Sequence, residues 1–337
     1  MRALLLFLVS VWCCDSWEHL VVLVHGFQGR PTDLGYLNRR LESETGVRVL
    51  CASANDGRTF DGVAAGGKRI AREIEAFVVR EKQARSISFV GNSLGGLYAR
   101  YALGELYDAT EGSVAGLRPA AFATTAAPHL GVREAPYGFA LSPVAALGAM
   151  FLSDRMSLTV RDLCGQTDVL DLLAFEPRFL RPLGAFRSRK ALASLRKDFM
   201  VPFKSALFTS LSPSAFKSRA SGGDNLIYCL EDSSPGNTKA ADSIAALGWS
   251  RCAADLPEPL SPLSVLPLAH NKLVALERTG LKAFASPFEQ TKVGRPVMNF
   301  LADWIIEVIR QNTLKEEEAT ATKKTPLATC DEDGQTS

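Results

Sequence analysis

Apolar runs of strand length recur along the chain at residues 19–24, 47–52, 86–91, 120–125, 190–195, 225–230 and 263–268, and stretches of helical spacing separate them. That alternation predicts an α/β fold with a mostly parallel sheet covered by helices on both faces. Between Asp61 and Lys82 the residues Val63, Ile70, Ile74, Phe77 and Val78 fall on one stripe, which predicts an amphipathic helix. The segment from about 133 to 189 is too long for a plain crossover. It carries Phe139, Leu141, Val144, Leu147, Met150, Phe151 and Leu152, then Leu170, Leu172, Leu173, Phe175, Phe179, Leu180 and Leu183. It reads as a helical lid or cap insertion, with crossover helices packed into the core as the alternative.

The two ends fall outside this pattern. Residues 1–16 form a hydrophobic leader with the charge and apolar length of a signal peptide, and Cys14-Asp15-Ser16 offers small residues for cleavage. A signal peptide would direct the chain to the secretory pathway or a membrane. An uncleaved leader or an extra strand would leave it cytoplasmic or on a lipid surface. Residues 313–337 hold Glu316-Glu317-Glu318 and Asp331-Glu332-Asp333 without apolar periodicity, and are expected to be disordered. The catalytic domain is thereby bounded at 17–312, cap included.

Composition changes this picture little. At 337 residues, with 47% hydrophobic and 22% charged positions, the chain can bury a large core as one domain with insertions. A net charge of +2 gives no reason to expect a nucleic-acid partner. The seven cysteines form no Cys-x-x-Cys pair, which weakens zinc and redox readings. Cys51 and Cys229 read as buried thiols, and Cys164 and Cys252 as a pair that could bond in a secreted protein. From Arg178 to Lys204 eight basic residues stand against one acid, Asp198, a solvated face that could also touch anionic lipid. Gly62 to Lys68 fits Gly-x-x-x-x-Gly-Lys, but Arg69 stands where a phosphate loop needs Ser or Thr, and no strand leads into it.

The chemistry concentrates in Ser88-Phe89-Val90-Gly91-Asn92-Ser93-Leu94-Gly95-Gly96-Leu97. A strand, then Gly-x-Ser-x-Gly, then a helical pattern is the context of a nucleophile elbow, with Ser93 at the apex of a tight turn. Upstream, the apolar run from His19 to Val24 ends in His25-Gly26-Phe27-Gln28-Gly29. In this arrangement the loop after the early strand and the residue after the nucleophile each donate a backbone N–H to an oxyanion. Here the donors would be Phe27, or Gln28, and Leu94.

These segments, with Thr59-Phe60-Asp61-Gly62 and Ala127-Pro128-His129-Leu130-Gly131, resemble the eukaryotic serine-esterase family of lipase-like α/β-hydrolases, first defined as a domain of unknown function. The resemblance is strong over about residues 19–131, patchy to about 310 and absent in the tail. Family members usually carry His before the serine, where this chain has Asn92. It implies an α/β-hydrolase fold and a serine esterase, and places His25, Gly26, Gln28, Asn92 and His129 at the edge of the substrate site.

The base follows by elimination among four histidines. In this fold the chain order is Ser, then Asp or Glu, then His. His19 and His25 precede the serine, and His129 follows it too closely. His270 remains, where the run 263–268 ends in a polar loop. The acid must lie between Ser93 and His270. The strand-like run from Lys190 leads into Asp198-Phe199-Met200-Val201-Pro202, and the resemblance places the acid at Asp198 because the family carries its own in a similar Asp-x-x-Val-Pro stretch. Asp224 and Asp232 are the rivals.

The expected chemistry is hydrolysis of carboxylic esters, acylglycerol or phospholipid esters in particular, by Ser93, His270 and Asp198 through an acyl-enzyme, with no metal or organic cofactor. An acyltransferase or thioesterase on the same residues, or an inactive binding protein of this fold, are the alternatives. The expected partners are the acyl-ester substrate and a lipid surface touched peripherally.

Overall fold

The computed structural model describes residues 17–133, 157–196, 198, 200–222, 226–231, 236, 238–256, 269–276 and 287–324. Ten strands lie among them: β1 (His19–Val24), β2 (Val47–Cys51), β3 (Ser86–Asn92), β4 (Tyr107–Asp108), β5 (Ser113–Val114), β6 (Arg118–Thr125), β7 (Ser188–Ser194), β8 (Ser221–Gly222), β9 (Ile227–Leu230) and β10 (Ser250–Ala254). Eight of them form one sheet in the order β2-β1-β3-β6-β7-β10-β9-β8, and β4 and β5 pair separately. From β2 across to β10 every pairing is parallel, and β9 and β8 add antiparallel strands at one edge. This is the α/β-hydrolase fold. It brings the C-terminal ends of β1, β3, β7 and β10 to one edge, where loops can assemble a site.

Alternation along β1 divides the core. Leu20, Val22 and Val24 face a layer built with α2 (Val63–Glu81) and α3 (Leu94–Leu106). Val21 and Leu23 face the opposite layer, built with α1 (Gly35–Glu42) and a final helix, Pro287–Lys324. The predicted stripe of α2 is buried at Val63, Ile70, Ile74 and Phe77. Its first N–H, on Val63, donates to Asp162 Oδ2 at 2.7 Å, which supplies a carboxylate where the helix dipole favours one.

Several expectations meet a different structure. Leu173, Phe179 and Leu183 are buried in the core beside α3, so this half of the expected cap is a crossover layer. Residues 134–156, with the other half, lie outside the described residues, as do the leader and the run 263–268. Among the described residues the last strand before His270 is β10. Its sequence, Ser-Arg-Cys-Ala-Ala, has no large apolar side chain to announce it, yet all five residues are buried. The final helix runs to Lys324, into the stretch expected to be disordered, because Lys, Glu and Ala sustain a helix without an apolar stripe.

The cysteine expectations are corrected as well. Cys229 bonds to Cys252, because β9 and β10 place the two directly opposite each other with Cα atoms 4.1 Å apart. Cys164 is a free thiol, as is Cys51, whose pKa is pushed up to about 11 by burial and then by Glu42.

The basic stretch is dispersed rather than gathered. Arg178 pairs with Glu105, Arg187 bonds Asn312, Arg189 bonds the Gly248 carbonyl, and Arg196 pairs with Asp255. Lys190 is buried beneath the rings of Phe300 and Trp304. Among the described residues no helix is long and apolar enough to cross a membrane.

His19 is a structural histidine. Its ring nitrogens meet Ser86 Oγ at 2.6 Å and Ser88 Oγ at 2.9 Å. Burial, and then Arg118, lower its pKa from 6.5 to about 3. Between those values the unfolded chain binds a proton that the native state refuses, so stability falls as pH drops through that window. The slope is about 1.4 kcal/mol per pH unit for one such group. His129 acts in the same direction, lowered by burial and then by Arg100. A urea midpoint followed from pH 7 to 4 should therefore fall, and should fall less steeply in His19→Gln. Parallel slopes in the two proteins would contradict this account.

Candidate active site

Ser93 stands between β3 and α3 with φ 53° and ψ −128°, a strained conformation for a residue with a side chain. The strain is held from both sides. Ser93 N donates to Thr125 O at 2.8 Å, and Gly96 N donates back to Ser93 O at 2.9 Å. Gly95 permits the turn, because a Cβ there would lie 2.2 Å from Val24 O. The elbow therefore sits directly against the end of β1. Asn92, in place of the family's histidine, accepts from Thr125 Oγ1 at 2.9 Å and lines the cleft.

The loop after β1 folds over the serine. Gly29 N donates to Gly26 O at 2.9 Å, closing a turn with Phe27 and Gln28 at its corners. A Cβ on Gly26 would lie 2.8 Å from Ser93 Cβ, so only glycine lets this backbone come so close. The two candidate donors of the turn separate here. Gln28 N is occupied, donating to Thr59 Oγ1 at 3.0 Å. Of these two, Phe27 lines the cleft, and Leu94 N opens α3 immediately after the serine.

Asp198 and His270 meet although 72 residues separate them: His270 Nδ1 donates to Asp198 Oδ2 at 2.9 Å. The other carboxylate oxygen accepts from Met200 N at 2.9 Å and Val201 N at 3.0 Å, so the turn toward Pro202 fixes the carboxylate. Both side chains are buried. With Nδ1 protonated toward the carboxylate, neutral His270 presents Nε2 as an acceptor. Asp224 and Asp232 lie outside the described residues.

One cleft is lined by Gly26, Phe27, Gly29, Asp33, Asn92, Ser93, Met200, His270, Asn271 and Leu276. It gathers the serine, the histidine and the turn. Asp33, Met200, Asn271 and Leu276 were not singled out from the sequence. Asp33 accepts from Arg30 N at 3.0 Å within a short helical turn, and no periodicity marks it.

Of the residues expected at the site edge, Gly26 and Asn92 line the cleft, and His25, Gln28 and His129 are not among its lining residues. His25 is buried with Nδ1 donating to its neighbour's carbonyl, Gly26 O, at 3.0 Å. His129 is buried. Arg100 donates to its Nδ1 at 3.1 Å, so its Nε2 carries the proton and donates to Thr124 Oγ1 at 3.0 Å. Phe208 and Trp249 enclose the ring edge-on. The ring is a brace for the loop after β6, which Ser205 also holds by accepting from Leu130 N and donating to Gly131 O.

The model of the family "Putative serine esterase (DUF676)" matches residues 15–214. The chain belongs to this family. As a DUF676 protein it is similar to "Putative lipase C4A8.10" of Schizosaccharomyces pombe, with 32% identity over 202 residues, 55% of this chain and 25% of that protein. It is also similar to "Putative lipase ROG1" of Saccharomyces cerevisiae, with 32% identity over 131 residues, 37% of this chain and 19% of that protein. The chain thus spans a quarter or less of the length of these relatives. Among solved structures, a Bacillus licheniformis lipase, BlEst2 in mature form, aligns over 58% of this chain and 71% of its own at 17% identity, with a TM-score of 0.38. That likeness is too loose to bear on function.

Proposed function

We propose that this DUF676 protein hydrolyses carboxylic esters, those of lipids in particular, with Ser93 as nucleophile, His270 as base and Asp198 as the acid that orients it. The observation that carries this reading is the Asp198–His270 hydrogen bond, with His270 and Ser93 lining the same cleft. His270 Nε2 takes the proton of Ser93 Oγ as the oxygen attacks the acyl carbonyl. The N–H groups of Phe27 and Leu94 hold the oxyanion. His270 then gives its proton to the leaving alcohol, and the acyl group remains on Ser93. Water, deprotonated by His270, attacks the acyl-enzyme; Ser93 leaves with the proton and the carboxylic acid is released. Asp198 keeps Nδ1 protonated and stabilises the imidazolium formed in each half. Lipid esters are named as substrates because the relatives carry the word lipase.

The test is labelling with a fluorophosphonate probe, which phosphonylates an activated serine. Stoichiometric labelling at Ser93, found by peptide mapping and lost in Ser93→Ala, is the expected result. Labelling of another residue, or none in folded protein, would sink the reading.

A further inference from the structure

The segment Thr59–Gly62 has no part in the chemistry above, yet its contacts reach Phe27 and Gln28 of the turn and Tyr98 of the elbow helix. Thr59 is buried, and its Oγ1 accepts from Gln28 N at 3.0 Å, 31 positions away in sequence. Gln28 is a turn corner with φ 51°, in the left-handed region that non-glycine residues rarely occupy. A hydrogen bond to its N–H fixes the turn in that conformation and so fixes the direction of the preceding peptide. Thr59 O accepts from Tyr98 Oη at 3.5 Å, and Tyr98 lies on α3, the helix that Leu94 opens.

The segment that follows Thr59 is itself anchored. Gly62 N donates to Thr159 Oγ1 at 2.9 Å and Val63 N to Asp162 Oδ2 at 2.7 Å. Asp61 is forked by Arg69, whose Nη2 donates to Asp61 Oδ1 at 2.7 Å and to Arg58 O at 2.7 Å. Phe60 packs edge-on against Phe27, ring centroids 5.0 Å apart. The loop is thus pinned on both sides of Thr59, and its hydroxyl oxygen is a fixed acceptor for the turn.

We infer that Thr59 is a positioning residue for this reaction: its hydroxyl holds Gln28 N–H so that the Phe27 N–H stays aimed at the oxyanion, while its carbonyl ties the same loop to the elbow helix. The inference rests on the esterase reading. A donor that is wrongly aimed fails the tetrahedral intermediate more than the ground-state ester. Removing the acceptor should therefore lower kcat and leave KM nearly unchanged.

The experiment compares wild type, Thr59→Val and Thr59→Ser on a short-chain aryl ester. Each is also titrated with an aryl boronic acid, which forms a tetrahedral adduct on the serine. Thr59→Val keeps the shape and loses the acceptor, and Thr59→Ser keeps the acceptor and loses a methyl group. The expected result is a fall in kcat of about 10- to 100-fold in Thr59→Val, KM within about twofold, and boronate affinity falling in step with kcat, with Thr59→Ser restoring both to within about threefold. Melting temperature and amide exchange at Gln28 complete the comparison. If Thr59→Val folds badly, Thr59→Ser and Thr59→Ala decide the matter, since only Ala lacks the acceptor. Unchanged kcat in Thr59→Val, or equal losses in the Val and Ser variants, would overturn the inference with the esterase reading intact. A wild-type protein that is folded but neither turns over ester nor labels at Ser93 would overturn both.

Discussion

Ser93→Ala should reduce kcat/KM on a short-chain aryl ester by at least about 10⁴-fold while leaving the protein folded. The hydroxyl is the only atom lost, and the serine backbone, with φ 53°, is held by hydrogen bonds to Thr125 O and from Gly96 N that alanine would keep. Alanine in this strained turn should cost little more than serine does, because both carry a Cβ. The melting temperature should thus stay within a few degrees of wild type as turnover vanishes. Initial rates with matched active protein, alongside a thermal melt, make the check. A variant retaining about a tenth of the activity would remove Ser93 from the role of nucleophile.

The second large effect belongs to Asp198→Asn, with an expected loss on the order of 10⁴ in kcat. The carboxylate accepts hydrogen bonds from three donors: His270 Nδ1, Met200 N and Val201 N. Asparagine can still accept from the two backbone amides through its carbonyl oxygen, so the turn survives. Its NH₂ group then faces His270 and donates where the carboxylate accepted. Nδ1 becomes the acceptor, the proton moves to Nε2, and the ring can no longer receive the proton of Ser93. Asp198→Ala should lose less than Asn relative to this tautomer penalty, since it leaves the ring free to choose. Steady-state rates of both variants test the order. A loss of less than about tenfold in Asp198→Asn would move the acid elsewhere.

What could be read from the sequence was local. The elbow, the helix α2 and the strands β1, β3 and β6 each carry their signal within ten or twenty residues, as glycine spacing or apolar period. Asp198 and His270 could be named by chain order and resemblance, but their meeting is a tertiary contact across 72 positions of sequence. What stayed hidden was set by tertiary contact. β10 is buried by its neighbours rather than marked by large side chains. The Cys229–Cys252 bond follows from an antiparallel register that no spacing rule specifies. His129 was expected at the site edge because the resemblance places the loop Ala127-Pro128-His129-Leu130-Gly131 there. Its place is decided by Arg100, a fully buried cation that needs an acceptor and finds the imidazole Nδ1.

The final helix has a bearing on where this protein can be cut. The family match stops at residue 214, short of His270 and of the whole helix Pro287–Lys324. Yet Val297, Leu301 and Ile305 of that helix are fully buried in the layer that covers Val21, Leu23 and Val90. Each such side chain contributes about 1.5–3 kcal/mol of burial, against a total stability of about 5–15 kcal/mol for a domain. A fragment trimmed to the matched region would keep Ser93 and Asp198 but lose His270, the proposed base. It would also bare one face of its sheet to water, and a sheet with one greasy face open is a template for aggregation. The family match covers less of the chain than the layers that pack on its sheet, and expression boundaries belong after the helix.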